Sequence, residues 1–264
     1  MTARDLLDLG TRRLTAAGVE NARREAEWIA GHVLGLSRSE LYAAPERTLT
    51  EGEVHAADAL LVRREAREPL AYVLGEWDFR HLTLKTDARA LVPRPETEIV
   101  VDRVLALIKG VETPRVLDVG VGSGAIALAV KDERPDARVT GIDISTDALS
   151  LARENAARLG LDVELREQGL EAAAEGWDLV VSNPPYVDSL DGLQPELDFE
   201  PAEALLGEGF HSRIARIAQT RFVVFEVGDG QADDVARELE AAGYGDVAIT
   251  RDLAGLERVV EGAR

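Results

Sequence analysis

Apolar positions follow two regimes along the chain. Up to Arg67 they recur three or four residues apart, the spacing of one face of a helix. Leu6, Leu7 and Leu14 share such a face, with Thr2 placed to cap it and Gly18 to stop it. Ala26, Ile29, Ala30, Val33 and Leu34 share the next, opened by Asn21 and closed by Gly35. Ser37 followed by Glu40, and Thr50 followed by Glu53, have capping-box spacing, the second opening a helix through Leu60, Leu61 and Val62. Short amphipathic helices on short links predict a small bundle. Pro69 breaks the pattern, and from Val73 to Leu84 the residues Trp77, Phe79, Leu82 and Leu84 predict a β-hairpin. Pro93 and Pro95 then force extended backbone, and Pro95 or Glu96 can start a helix carrying Ile99, Val100, Val104, Leu105 and Ile108.

From Arg115 onward strands and helices alternate. Residues 116–119, 138–144, a weak 163–165, 179–181 and 222–225 read as strands. Residues 125–131, 145–159 and 233–242 read as helices, and 247–249 and 258–260 as two closing strands. Alternation with near-continuous apolar strands predicts an open, mostly parallel sheet covered on both faces. The expected fold class is α/β: an N-terminal helical bundle over 1–72, a hairpin linker over 73–92 and an α/β domain over 93–264. Ligands of such sheets bind beyond the carboxyl ends of the strands, so the chemistry is sought there.

Composition narrows the chemistry. The chain has 264 residues and no cysteine, which excludes disulfides, thiolate metal sites and cysteine nucleophiles. His32, His55, His81 and His211 are scattered without ligand spacing, so no metal site is expected. No apolar run is long enough to cross a bilayer and no signal peptide opens the chain, so a cytoplasmic protein without a membrane partner is expected. The formal net charge of −19 opposes binding to phosphates; it suits a basic protein partner, and solubility alone also accounts for it.

Three strand ends carry candidate chemistry. After the first core strand comes Asp118-Val119-Gly120-Val121-Gly122-Ser123-Gly124, whose glycines let backbone turn sharply and approach a ligand closely. The third glycine comes one residue too early for the dinucleotide pattern, and no Lys-Ser/Thr pair follows, which excludes a P-loop. The second is Asp143, an acid placed to accept from both hydroxyls of a ribose. The third is Ser182-Asn183-Pro184-Pro185-Tyr186, where proline forces the chain out of the sheet. Each proline restricts the residue before it, so the corner is stiff, and neither has an N–H. It therefore offers acceptors, the Asn183 side-chain oxygen and the Pro184 carbonyl, beside the flat ring of Tyr186. An amide nitrogen is a poor nucleophile, because its lone pair is delocalised with a rotation barrier of about 18–20 kcal/mol. Two acceptors gripping its N–H bonds would stabilise the charge it develops and aim it at an electrophilic carbon.

Asn183-Pro184-Pro185-Tyr186 resembles the signature of amino-methyltransferases that act on adenine, guanine or glutamine nitrogen. The whole chain resembles one branch, the HemK/PrmC family of release factor glutamine methyltransferases. The similarity includes Pro69 to Phe79, Val92-Pro93-Arg94-Pro95-Glu96-Thr97-Glu98, the glycine turn, the Asp143 strand, the acidic 196–205 segment and the 251–260 ending. It implies a class I, Rossmann-like methyltransferase sheet behind a helical domain that docks the substrate protein. It also implies transfer of a methyl group from S-adenosyl-L-methionine to the glutamine of the Gly-Gly-Gln motif of peptide-chain release factors. Asn183, Pro184, Pro185 and Tyr186 would hold that glutamine. Gly120, Val121, Gly122, Ser123, Gly124, Asp143 and Asn183 would hold the cofactor, with Gln168 at the adenine. Arg94 and Glu98 lie in the shared linker motif without an assigned role. Val121 stands where the family usually has threonine, and the stretch around Gly207, Glu208 and Gly209 is shorter than the family pattern. The alternatives are a nucleic-acid amino-methyltransferase, a nicotinamide-dependent dehydrogenase and a non-catalytic binding module.

Overall fold

Caps decide where the first helices begin. The computed structural model describes residues 1–186, 192–207 and 209–264, and Glu208 of the shortened stretch lies outside them. Helices α1 (Ala3–Ala16), α3 (Arg38–Ala43) and α4 (Glu51–Glu65) each open on a reciprocal box, made by Thr2 with Asp5, Ser37 with Glu40 and Thr50 with Glu53. Helix α2 (Ala22–Leu34) departs from expectation: Asn21 makes no side-chain cap, and the helix is fixed instead by its buried face and by Gly35 at φ 62°. Residues 70–73, partly assigned to the hairpin, form a buried turn of helix, α5 (Leu70–Leu74), because Pro69 suits a helix start and Gly75 a left-handed stop.

These helices belong to one compact unit, Met1–Gly75 with Gln194–Phe199. Glu196 enters it through Arg64 at 2.7 Å and Arg67 at 2.8 Å. Arg64 is buried and also pairs with Glu25 at 2.6 Å, so its charge is neutralised from two sides.

The second unit is Glu76–Leu193 with Glu200–Arg264. It opens with a hairpin, β1 (Glu76–Phe79) and β2 (Leu82–Lys85), followed by α6 (Thr97–Leu107). Then β3 (Arg115–Val119), α7 (Ala125–Glu133), β4 (Arg138–Asp143), α8 (Thr146–Leu159), β5 (Glu164–Glu167) and β6 (Trp177–Ser182) alternate. Short helices α9 (Ala202–Leu205) and α10 (Phe210–Ile217) precede β7 (Thr220–Glu226), α11 (Ala232–Ala241), β8 (Gly245–Arg251) and β9 (Glu257–Ala263). Among the described residues β1 and β2 pair only with each other, and the other seven strands make one sheet in the order β5-β4-β3-β6-β7-β9-β8. All neighbours from β5 to β7 are parallel, whereas β9 runs antiparallel between β7 and β8.

Side chains along the central strands alternate between two cores. Val116, Leu179, Val181, Phe222 and Val224 face one with α6 and α7, while Leu117, Val180, Val223 and Phe225 face the other with α10 and α11. Burial on both faces is why these strands are apolar without a break. The order reverses between β3 and β6, and that reversal opens a crevice at their carboxyl ends.

Candidate active site

Strand register sets the positions of the chain exits. Val119 is paired with Ser182, so the glycine turn and Asn183 leave the sheet side by side. Ser182 Oγ ties the two strand ends by donating to the Val119 carbonyl at 2.7 Å. Asp143 is paired with Glu167, and Gln168 N donates to the Asp143 carbonyl at 3.2 Å, which brings Gln168 to the same edge.

The glycine turn is shaped by backbone no other residue adopts cheaply. Gly120, Gly122 and Gly124 have φ of 75°, 54° and 90°. A Cβ on Gly124 would also stand 2.8 Å from Leu128 Cδ1. Gly122 N donates to Asp143 Oδ2 at 3.0 Å, and Ser145 N to Asp143 Oδ1 at 2.9 Å, so the carboxylate is oriented by two amides and keeps further lone pairs. Val121 is buried and turned toward β4: a Cβ on Gly141 would meet its Cγ2 at 2.5 Å. The hydroxyl absent at this position is thus replaced by a methyl packed over a glycine.

Beneath the turn, Asp118 is buried on β3 and accepts the Ala127 N–H at the start of α7, at 3.1 Å. Burial pushes its carboxyl up to about 7, against the pull of that N–H. Among the described residues its other oxygen has no partner, and neither does the buried Oε1 of Gln168. Both residues line one cavity of about 930 Å³, together with Gly120, Val121, Gly122, Ser123 and Asp143. Gly124 is not on its wall; it caps α7 below.

The cavity is also lined by the neighbouring proline corner, Asn183, Pro184 and Pro185. Asn183 Nδ2 donates to Thr97 Oγ1 at 3.3 Å, and Thr97 Oγ1 donates to Glu226 Oε2 at 2.6 Å. Among the described residues, Asn183 Oδ1 and the Pro184 carbonyl have no donor. Tyr186 is not brought to the cavity wall. Its ring packs on Gly228, where a Cβ would stand 2.9 Å from Cδ2, and its hydroxyl faces Glu226 Oε1 at 3.5 Å. Its carbonyl is held by Gln231 Nε2 at 3.0 Å.

Sequence reasoning passed over several of these groups. Thr97 sits inside the Pro-Arg-Pro-Glu-Thr-Glu run, and Glu226 is an acid ending the apolar β7, the same strand-end signal that pointed to Asp143. Arg94 pairs with the buried Glu200 at 2.6 Å, and Glu200 also accepts Val92 N at 3.1 Å, which pins the linker along the cavity. Glu98 instead ties the hairpin turn, accepting Arg80 N at 3.0 Å.

Two family models match the chain, "PrmC N-terminal domain" over residues 5–75 and "Methyltransferase small domain" over residues 97–206. A Deinococcus radiodurans protein named release factor glutamine methyltransferase is 42% identical, with 100% of this chain and 99% of that protein covered. Proteins of the same name from Rhodospirillum rubrum and Escherichia coli are 44% and 38% identical, covering 96% and 92% of this chain and 82% and 92% of their own lengths. Among solved structures, the hMettl16 catalytic domain in complex with MAT2A 3'UTR hairpin 1 aligns with a TM-score of 0.55 at 16% identity, covering 84% of each chain, a likeness of fold. No helix among the described residues is long and apolar enough to cross a membrane.

Proposed function

Because the chain belongs to the family of release factor glutamine methyltransferases, we propose that it transfers a methyl group from S-adenosyl-L-methionine to the side-chain amide nitrogen of the Gly-Gly-Gln glutamine of peptide-chain release factors. The observation that carries this reading is the acceptor corner. Asn183 turns its NH2 toward Thr97, which leaves Asn183 Oδ1 and the Pro184 carbonyl as acceptors at the cavity wall. A primary amide brings two N–H donors in one plane, the complement of two acceptors on a stiff loop.

The glycine-turn side of the cavity fits the cofactor. Among the described residues Asp118 Oδ1 and Gln168 Oε1 are buried acceptors without donors, and a buried acceptor of that kind calls for a ligand carrying N–H or O–H groups. S-adenosylmethionine carries an ammonium, two ribose hydroxyls and an adenine amino group. In this reading residues 120–123 let backbone approach it, with Gly124 shaping the turn from below, while Asp143 takes the ribose, Gln168 lies at the adenine and Asp118 faces the ammonium. When bound, it supplies a methyl carbon on a positively charged sulfur that leaves as a neutral thioether. The chain's own contribution is to bind, orient and exclude water. Asn183 and Pro184 accept the two N–H groups of the substrate amide, hold its nitrogen lone pair toward the cofactor side and stabilise positive charge as it develops. Pro185 stiffens the corner, and Tyr186 anchors its far end through Gln231. The smaller unit, in which Arg64 and Arg67 fix Glu196, is read as the docking domain for the body of the release factor, with action in the cytoplasm.

Mass spectrometry of purified release factor after incubation with the protein and S-adenosylmethionine tests the reading. The tripeptide glutamine should gain one methyl group. Transfer to adenine of DNA or ribosomal RNA, with none to release factor, would replace this reading by the nucleic-acid one.

A further inference from the structure

An amide oxygen and an amide nitrogen are nearly the same size. A half-turn of the Asn183 side chain about its last torsion would exchange acceptor for donor at the cavity wall with little steric cost. The corner works only if the oxygen faces in; with the nitrogen there, an NH2 would oppose the NH2 of the substrate. Stiffness in the backbone, which the two prolines supply, does not decide this.

We propose that Thr97 and Glu226 are positioning residues that set the polarity of the Asn183 amide, an inference resting on the function proposed above. The three groups come from different elements: Thr97 begins α6, Glu226 ends β7 and Asn183 follows β6. Thr97 Oγ1 has one proton and places it on Glu226 Oε2 at 2.6 Å. Its lone pairs are then what Asn183 meets at 3.3 Å, so the side of the amide facing Thr97 must be the NH2. An ionised carboxylate only accepts, and this fixes the sense of the whole chain of bonds.

Glu226 is buried and makes no ion pair among the described residues, an expensive arrangement for a carboxyl whose only task is packing. Burial pushes it up to about 7. The groups around it are Thr97 and Glu96 at the start of α6, the Tyr186 hydroxyl, His211 on α10 and Arg258 on β9. His211 meets its main-chain carbonyl at 2.8 Å rather than its carboxyl. When Glu226 takes a proton it can donate to Thr97 in return, which releases the threonine proton toward Asn183 and removes the preference for oxygen inward.

The test compares Thr97→Val, Thr97→Ser and Glu226→Gln with the full-length protein, using S-adenosylhomocysteine binding and melting temperature to confirm that each variant is folded. Thr97→Val should lower kcat about 10- to 100-fold, the usual effect of losing a residue that orients a reacting group, while S-adenosylhomocysteine affinity stays within about twofold. Thr97→Ser, which keeps the hydroxyl, should stay within about threefold of the parent. Combining Thr97→Val with Glu226→Gln should cost no more than Thr97→Val alone, because both cut one relay. The parent's kcat should rise between about pH 6 and pH 8, and this rise should flatten in Thr97→Val. A separate readout needs no turnover: the side-chain NH2 protons of Asn183, followed by NMR, should be shifted and slow to exchange in the parent and lose both properties in Thr97→Val. Equal kcat in Thr97→Val and the parent, equal loss in the Val and Ser variants, or an Asn183 signal indifferent to Thr97 would overturn the proposal. If the unsubstituted protein leaves release factor unmethylated, the functional reading falls, and the NMR comparison still judges the relay.

Discussion

The two walls of the cavity are built in different ways. The cofactor-side wall is made of backbone: three left-handed glycines within five residues, and amides of Gly122 and Ser145 that orient Asp143. The substrate-side wall is made of side chains whose partners lie far away in sequence, Thr97 at a separation of 86 from Asn183 and Glu226 at 129 from Thr97. The turn's backbone tolerates changes of its own side chains and fails when a Cβ is added to a glycine. A wall of side chains fails when one polar atom is removed. Substitutions on the two sides should therefore fail in different measurements.

The largest effect is expected at the corner. Asn183→Ala removes an acceptor from the amide and should lower kcat by about 10²–10³, the range seen when a group aimed at developing charge is deleted. Steady-state transfer to purified release factor measures this, and calorimetry with S-adenosylhomocysteine should show a change below about tenfold. An equal loss in both measurements would erase the division between the walls.

The next effect belongs to the glycine turn and has the opposite signature. Gly124→Ala forces a side chain into φ 90° and against Leu128 Cδ1 at 2.8 Å. Left-handed strain alone costs on the order of 1–3 kcal/mol, so the melting temperature should drop and cofactor affinity should weaken by about tenfold or more. Because Gly124 does not line the cavity, that weakening would come from displacement of the turn above it. Unchanged affinity would mean that the turn's shape is fixed by something other than its glycines.

How much of each wall was legible follows from the same contrast. The turn, Asp143 and the proline corner are contiguous words at strand ends, and the sheet that aligns them follows from apolar runs alternating with helical spacing. What joins Asn183 to Thr97 and Glu226 is the strand order, with β6 between β3 and β7, and no local pattern encodes that order. The acidic 196–205 segment was readable as a unit, yet Glu196 and Glu200 serve different units, because each finds its own arginine. Asn21 shows the reverse: its residue type suits a cap, and the helix forms without one. Tyr186 was legible as part of a motif, while the packing of its ring on Gly228 depends on residues 42 positions away.

A smaller effect is expected from Asp118→Asn. The Asp118 carboxyl is raised from 3.8 to about 7, mainly by burial, with Asp143 adding to the rise. Its folded form holds a proton that the unfolded chain has already released, so the contribution is complete below 3.8 and is lost as pH climbs through about 7. Asparagine removes this dependence. The melting temperature of the variant minus that of the parent should therefore increase from about pH 5 to pH 8, by no more than a few kcal/mol in stability. Cofactor affinity should fall in the same variant, since Asp118 Oδ1 is an acceptor without a partner. A difference in melting temperature that stays flat with pH would mean that the Asp118 carboxyl ionises in the folded protein as readily as in the unfolded chain.

The smallest effect should come from Val121→Thr, which restores the hydroxyl usual at this position in the family. If the cofactor-side wall is backbone, the side chain at 121 matters only through its packing. Val121 is buried against the bare Cα of Gly141, and an added Cβ there would meet its Cγ2 at 2.5 Å and the Leu165 side chain at 3.0 Å. Threonine is close to valine in shape, so the packing survives, but a hydroxyl placed among these apolar atoms without a partner costs on the order of 1–3 kcal/mol. S-adenosylhomocysteine affinity should change by less than about twofold, a difference near 0.4 kcal/mol. Tighter binding by tenfold would show that the hydroxyl itself meets the ligand and that the turn, too, acts through a side chain.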